Sequence, residues 1–230
     1  NRSTVLGDTY QERYNQLFRG GLRIHTTLDA NLQAMAVQAR DRLPETFQGF
    51  DASIVSLDST SGAIRVMVGG RGFVPGEREV NMALAPRQTG SSIKVFILAA
   101  AVQAGAQAND LLDGTKPCSL PNPGNEDEPF IITDAVNGGL NTLQSHTTRS
   151  INCAFGRLSQ IVGLHRVVDT IYRMAQSPYL YRDQPRSERL PIEPFASLAT
   201  GANEMAPIDM ASGVQALANE GLHHDPYYVE

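Results

Sequence analysis

Residues 87–103 read RQTGSSIKVFILAAAVQ, and this segment is the most informative part of the chain. From Ser92 to Gln103 nearly every position is apolar, which predicts a helix that is buried on all sides. Ser91 lies at the start of that helix, and Lys94 follows three residues later. Because residues three apart project from the same helical face, the serine hydroxyl and the lysine amine are expected to meet.

Lys94 is an unusual choice of residue in this sequence. The 19 basic residues include only two lysines, Lys94 and Lys116. A charged amine is costly inside an apolar helix, and burial therefore lowers the pKa of a lysine. A neutral lysine beside a hydroxyl is a recognised base for activating a serine nucleophile. The alternative is a lysine whose aliphatic stem reaches the surface and whose amine stays solvated.

A second polar element is the tripeptide Ser150-Ile151-Asn152. Alternate residues of an extended or turn segment point the same way, so the hydroxyl of Ser150 and the amide of Asn152 would face one spot. The hydroxyl can relay protons, and the amide can bind a substrate carbonyl. The alternative is a polar helix cap, since Ser and Asn both favour capping positions.

The regions around these motifs predict a mixture of helices and strands. Asp29 is expected to cap a helix over Ala30–Leu43. Ala52–Leu57 and Ala63–Val68 predict an antiparallel hairpin. Further elements are a polar lead-in over residues 1–20, a short strand over Leu22–Thr27, helices at about 143–149, 153–162, 164–175 and from Pro207 to Gly221, and surface loops over 113–142 and 177–194.

The composition argues against several functional classes. A net charge of −5 without a basic tract makes nucleic acid an unexpected partner. The longest apolar run, Val95–Val102, is too short to span a bilayer. No metal site is expected because none of the histidines has a metal-ligand spacing; they are His25, His146, His165, His223 and His224.

Together the two motifs resemble the signature of the serine penicillin-recognising family, in which S-x-x-K is followed by S-x-N. Gly21–Asp29 resembles the segment that opens the transpeptidase domain of bifunctional (class A) penicillin-binding proteins. The hairpin that ends at Arg71, the segment Ala206–Ser212 and the segment Ala218–Gly221 are similar to further parts of that domain. The resemblance covers residues 20–230 in the family's order. It implies an α/β fold of the α+β type, in which an antiparallel sheet is flanked by helices.

The resemblance implies a peptidoglycan D,D-transpeptidase. Ser91 would attack the penultimate D-Ala carbonyl of a stem peptide, with an oxyanion-hole donor from its own backbone N–H, and Lys94 would take the serine proton. Ser150 would pass a proton to the leaving amine, and Asn152 would hold the substrate amide. β-Lactams would acylate Ser91 instead. No metal or organic cofactor is implied, and the family works on the extracytoplasmic face of the bacterial cytoplasmic membrane.

One motif of the family does not occur in the sequence. The third element, K-T-G, is missing, since Val95 follows Lys94 and Pro117 follows Lys116. In the family this motif lies on a strand further along the chain. We therefore interpret residues 21–230 as the N-terminal and central part of the domain, incomplete at its C-terminus. Residues 1–20 would be a linker from an upstream glycosyltransferase domain, and a membrane anchor is expected before residue 1.

The two cysteines, Cys118 and Cys153, are predicted either to form a disulfide or to stay free. The family works outside the cytoplasmic membrane, where disulfides persist. A bridge would tie the loop over residues 113–142 to the helix that follows Asn152. The sequence leaves both states open, because it does not supply the geometry that a disulfide requires.

Three other functions, two enzymatic and one non-enzymatic, are consistent with the same motifs. A class A serine β-lactamase needs a water-activating carboxylate in an E-x-x-L-N pattern, which is absent, since Glu188 is followed by Arg189-Leu190-Pro191. A D,D-carboxypeptidase differs only in using water as the acceptor, and the sequence does not separate it from a transpeptidase. A non-enzymatic β-lactam sensor is the third alternative, although the Gly21–Asp29 segment argues against it.

Overall fold

A computed structural model of the chain describes residues 4–44, 49–133, 136–175 and 192–229. Most of the loop predicted over residues 177–194, including Glu188, lies outside these residues. The described helices and strands, in chain order, are α1 (Tyr10–Arg19), α2 (Ala30–Asp41), β1 (Ile54–Leu57), β2 (Ile64–Val68), β3 (Arg87–Gln88), α3 (Lys94–Gln103), β4 (Leu111–Asp113), β5 (Cys118–Leu120), β6 (Phe130–Ile132), β7 (Leu140–Thr142), α4 (Leu143–Thr148), α5 (Asn152–Val162), α6 (Leu164–Met174), β8 (Glu204–Met205) and α7 (Pro207–Ala218). Short 3-10 helices lie at Thr4–Leu6, Gly90–Ile93 and Ala196–Thr200.

The antiparallel hairpin predicted from the sequence is present as β1 and β2. Its turn is held by Asp58, whose carboxylate accepts hydrogen bonds from Thr60 and Ser61. These bonds, with Thr60 contributing most, hold the pKa of Asp58 far below its usual range. Helix α2 packs on β2 and α7 packs on β1, so the hairpin is flanked by helices.

Helix α3 lies at the centre of the larger apolar core, as its composition predicts. Phe96, Ile97, Ala100 and Ala101 have no exposed surface. The helix packs against α5 and α6, which present the apolar faces of their own sequences to it. Burying a large side chain such as Phe96 stabilises the fold by roughly 1.5–3 kcal/mol. This packing fixes α3 and therefore fixes Lys94, its first residue.

One prediction for the first 30 residues is wrong, and one helix there was not predicted. The polar lead-in over residues 1–20 contains α1, which begins with a reciprocal cap between Thr9 and Glu12. Residues 22–27 form no strand, because only Thr26 makes a β-bridge, to Val229. The alternating apolar side chains of this segment, such as Ile24, stay exposed and have no sheet to pack against.

The region predicted as a surface loop over residues 113–142 contains short paired strands. Strand β4 pairs with β7, and β5 pairs with β6. The sulfur atoms of Cys118 in β5 and Cys153 in α5 lie 2.08 Å apart, at bonding distance. Together with Leu120 and Ile132 they form a small buried cluster. The cluster joins this region to the helix that begins at Asn152. None of the described helices has the length and apolar character that a bilayer crossing requires.

We predict that the double variant Cys118→Ala/Cys153→Ala is less stable than the natural chain by about 2–4 kcal/mol. The bridge closes a loop over a sequence separation of 35, and its loss would increase the entropy of the unfolded chain. Urea unfolding of both proteins measures the difference. Alkylation followed by intact-mass measurement, with and without reductant, provides the control. Equal mass gains under the two conditions would show that the thiols are free and would refute the bridge.

Candidate active site

The Lys94 amine is the point at which the predicted site residues come together. Its Nζ atom lies 3.1 Å from Ser91 Oγ, 2.9 Å from Ser150 Oγ and 2.5 Å from Asn152 Oδ1. A fourth contact, at 2.7 Å, reaches the backbone oxygen of Ser150. The four residues proposed from the S-x-x-K and S-x-N spacings therefore occupy one site. The helical spacing accounts for the contact between Ser91 and Lys94. Only the tertiary structure brings Ser150 and Asn152 to the same amine.

Lys94 is buried, and its hydrogen-bond partners are neutral groups. The residue is 5% exposed, and no carboxylate in the described part of the chain forms an ion pair with it. Burial lowers the pKa of Lys94 to about 8, because the charged amine is withdrawn from water. About a tenth of these amines are then neutral at pH 7, compared with far fewer for a solvated lysine. The amine can therefore act as a base near neutral pH.

The four contacts also suit both protonation states of the amine. An ammonium group has three protons to donate, and the surrounding oxygens can accept all of them. A neutral amine keeps two donors and gains a lone pair, which can accept the proton of the Ser91 or Ser150 hydroxyl. A proton can therefore pass between hydroxyl and amine without rearrangement of the heavy atoms.

Ser150 has a backbone conformation that is rare for a residue with a side chain. Its φ angle is +52°, in the left-handed region, which costs on the order of 1–3 kcal/mol. The turn is held by hydrogen bonds from the Ser150 N–H to Thr147 O and from the Ile151 N–H to His146 O. Lys94 adds a third restraint on the Ser150 carbonyl. This turn between α4 and α5 brings both the Ser150 hydroxyl and Asn152 to the amine.

The hydroxyls and the amine differ in their access to solvent. Ser91 and Ser150 are exposed, whereas Lys94 lies beneath them. Asn152 is partly buried and uses its side-chain oxygen on the amine, which leaves its N–H₂ donors for another acceptor. A substrate carbonyl could approach the hydroxyls from the open side while the base stays shielded from water.

The sequence reasoning missed two features of the site. The ring of Phe155, one helical turn after Asn152, has its centroid 5.4 Å from the Lys94 amine. An aromatic face at this distance attracts a cation and partly offsets the cost of burying it. The spacing from Asn152 could have indicated this contact. Gly201 packs against Gly90 beside Ser91.

The described residues contain no group of three or more His, Cys, Asp or Glu side chains that could hold a metal ion.

The chain matches the family model for the penicillin-binding protein transpeptidase domain over residues 52–230. A relative named penicillin-binding protein 1A, from Mycolicibacterium smegmatis, is 30% identical over 224 residues, which cover 91% of this chain and 26% of the relative. Another of the same name, from Neisseria flavescens, is 32% identical over 77% of this chain and 21% of its own length. The chain thus spans about a quarter of the length of these curated relatives.

Solved structures agree with this match. The penicillin-binding protein PonA1 of Mycobacterium tuberculosis superposes with a TM-score of 0.77 at 26% identity, over 97% of this chain and 55% of that one. A structure of the same protein in complex with penicillin V gives a TM-score of 0.76 over 94% of this chain and 56% of that one. These likenesses confirm the predicted fold class, with helices on an antiparallel hairpin. By its sequence, its fold and its matched residues, this chain belongs to the penicillin-binding protein transpeptidase family.

Proposed function

We propose that the chain is the serine acyl-transfer part of a peptidoglycan D,D-transpeptidase. The observation that carries the proposal is the contact of one buried amine, on Lys94, with the hydroxyls of Ser91 and Ser150 and the carboxamide of Asn152. Such an arrangement supplies a nucleophile, a base, a proton relay and a substrate-binding group. Membership of the transpeptidase family supports the same chemistry.

The proposed reaction proceeds through an acyl-enzyme. Ser91 Oγ attacks the carbonyl carbon of the penultimate D-Ala, and Lys94 Nζ takes the hydroxyl proton. The C–N bond to the terminal D-Ala then breaks, and the proton passes through the Ser150 hydroxyl to the departing amine. An amine of a neighbouring stem attacks the ester carbonyl and loses a proton to Lys94. Lys94 returns this proton to Ser91 Oγ as the C–O bond breaks, which leaves a new peptide crosslink and the free enzyme. The Ser91 N–H is one proposed donor to the oxyanion.

β-Lactams are proposed to follow the first half of this reaction. Their strained amide is opened by Ser91, but the leaving nitrogen stays attached to the acyl group and blocks the acceptor. The solved PonA1 structure is titled as a complex with penicillin V. For this chain, formation of a covalent adduct is the consequence that can be tested directly.

The cellular setting is part of the proposal. We place the site on the extracytoplasmic face of the bacterial cytoplasmic membrane, a compartment in which a disulfide between Cys118 and Cys153 would persist. Residues 1–20 are proposed to link it to an upstream glycosyltransferase domain with a membrane anchor. The greater length of the curated relatives is compatible with such further domains.

Penicillin should form a stable adduct with the natural protein and none with Ser91→Ala. The matched control is Ser92→Ala, which removes a neighbouring hydroxyl that is also exposed and donates a hydrogen bond to the Thr89 carbonyl. Its acylation rate should stay within about twofold of the natural value, as for other surface substitutions. Intact-mass measurement on the full-length polypeptide that carries this sequence detects the adduct. Persistence of the adduct in Ser91→Ala would reject the nucleophile, and rapid turnover of a chromogenic β-lactam would indicate a β-lactamase.

The rate of acylation should depend on pH through the titration of Lys94. Because the pKa of this amine is lowered to about 8 and the neutral form is the base, the rate should rise about tenfold per pH unit below that value and level off above it. Stopped-flow measurement with a fluorescent penicillin between pH 6 and 9.5 gives the profile. In Lys94→Arg the side chain stays charged, so the remaining slow reaction should lack this rise. A natural profile that is flat between pH 6 and 9 would contradict the assignment of Lys94 as the base.

A further inference from the structure

The loop that carries Ser91 contacts a part of the chain that is distant in sequence. Strand β3 ends at Gln88 and pairs with β8, and the loop then continues to Ser91. The Thr89 N–H lies 3.4 Å from Asn203 O, and the Gly90 N–H lies 3.3 Å from Gly201 O. The residues that precede Ser91 are therefore supported by one segment, Gly201–Asn203, which we call the buttress.

Gly201 is the point at which the buttress and the nucleophile loop are closest. A Cβ atom added there would lie 2.1 Å from Gly90 O and 2.3 Å from Gly90 N, whereas ordinary contacts begin at 3.4 Å. It is the closest such approach for any glycine in the described residues. Both opposing atoms belong to the backbone, so no flexible side chain can move aside. Gly201 also has a φ angle of +79°, which side chains rarely adopt.

The buttress is anchored by the core and by Glu193. This anchoring determines which of the two backbones would move if a side chain were added at position 201. The 3-10 helix before it buries Leu198 and Ala199 completely in the core. The side chain of Asn203 accepts a hydrogen bond from the Glu193 N–H at 2.8 Å and donates one to the Glu193 carbonyl at 3.1 Å. The nucleophile loop, in contrast, carries the exposed Ser91. A side chain at position 201 would therefore displace the loop and not the core.

We propose that the buttress positions the nucleophile, with Gly201 as the residue that permits backbone contact with Gly90 and so holds Ser91 Oγ against the Lys94 amine. This inference rests on the proposed function, in which Ser91 is the nucleophile. Gly201 itself touches no reacting atom and is a positioning residue. Because ordinary contact distance exceeds the present approach by more than 1 Å, any side chain at 201 must shift the loop by about that amount.

The test is the substitution Gly201→Ala in the full-length polypeptide that carries this sequence. We expect the acylation rate constant at saturating fluorescent penicillin to fall roughly 100-fold, the effect that a displacement of about 1 Å can have on a positioned reaction. The matched control is Gly221→Ala, because Gly221 has a φ angle of +88° but open space around its added Cβ. That variant introduces a similar backbone strain without the contact, and its rate constant should remain close to the natural one.

A change in the acylation rate constant must be distinguished from a change in the fraction of folded protein. The endpoint of the intact-mass adduct gives the fraction of competent protein, and the time course gives the rate constant of that fraction. A lower endpoint with an unchanged rate constant in Gly201→Ala would overturn the proposal, since the glycine would then serve folding alone. If Gly201→Ala does not fold, Asn203→Ala provides the test instead. Loss of the two hydrogen bonds between the Asn203 side chain and the Glu193 backbone should lower the rate constant about tenfold. An unchanged rate constant would overturn the proposal. Absence of an adduct in the natural protein would reject the proposed function itself.

Discussion

Contact between a buried amine and the oxygens of three residues, Ser91, Ser150 and Asn152, is the constraint on which the site depends. Lys94 begins α3, Ser150 lies in the turn after α4, and Asn152 begins α5. The amine contacts a backbone oxygen, two hydroxyls and a carboxamide, and among the residues that the structure describes no carboxylate pairs with it. A carboxylate would satisfy the charge better, but it would also raise the pKa of the amine and weaken it as a base. The neutral oxygens keep the amine satisfied while burial keeps its pKa near 8.

The surrounding helices and turns keep this amine out of water and in contact with its partners. The apolar residues of α3 withdraw the lysine from solvent, and the packing of this helix against α5 brings Asn152 and Phe155 to the amine. The Ser150 turn is strained, and its carbonyl is restrained by the same amine. The buttress restrains the opposite side, next to Ser91. The conformational cost of the Ser150 turn is thus offset by contacts to a well-packed core.

The sequence predicts the local parts of this arrangement better than the distant ones. Ser91 and Lys94 are three residues apart, so helical geometry alone brings them together. The bounds of α2 and the hairpin follow from the Asp29 cap and from the alternation of apolar residues. The contact of Gly201 with Gly90 could not be predicted, because it joins backbones far apart in sequence and leaves no pattern in either segment. Ile24 and its neighbours have the alternation of a strand, but a strand also needs a partner, and the structure provides only the bridge at Thr26.

The most direct measurement of the central claim is the ionisation of Lys94 itself. Labelling the full-length polypeptide that carries this sequence with ¹³Cε,¹⁵Nζ-lysine gives one NMR signal per lysine, and the signal that disappears in Lys94→Arg is that of Lys94. The account predicts that the Lys94 signal titrates with a pKa near 8 and shifts again when penicillin acylates Ser91. A Lys94 signal that titrates above pH 10, as a solvated lysine does, would contradict the account.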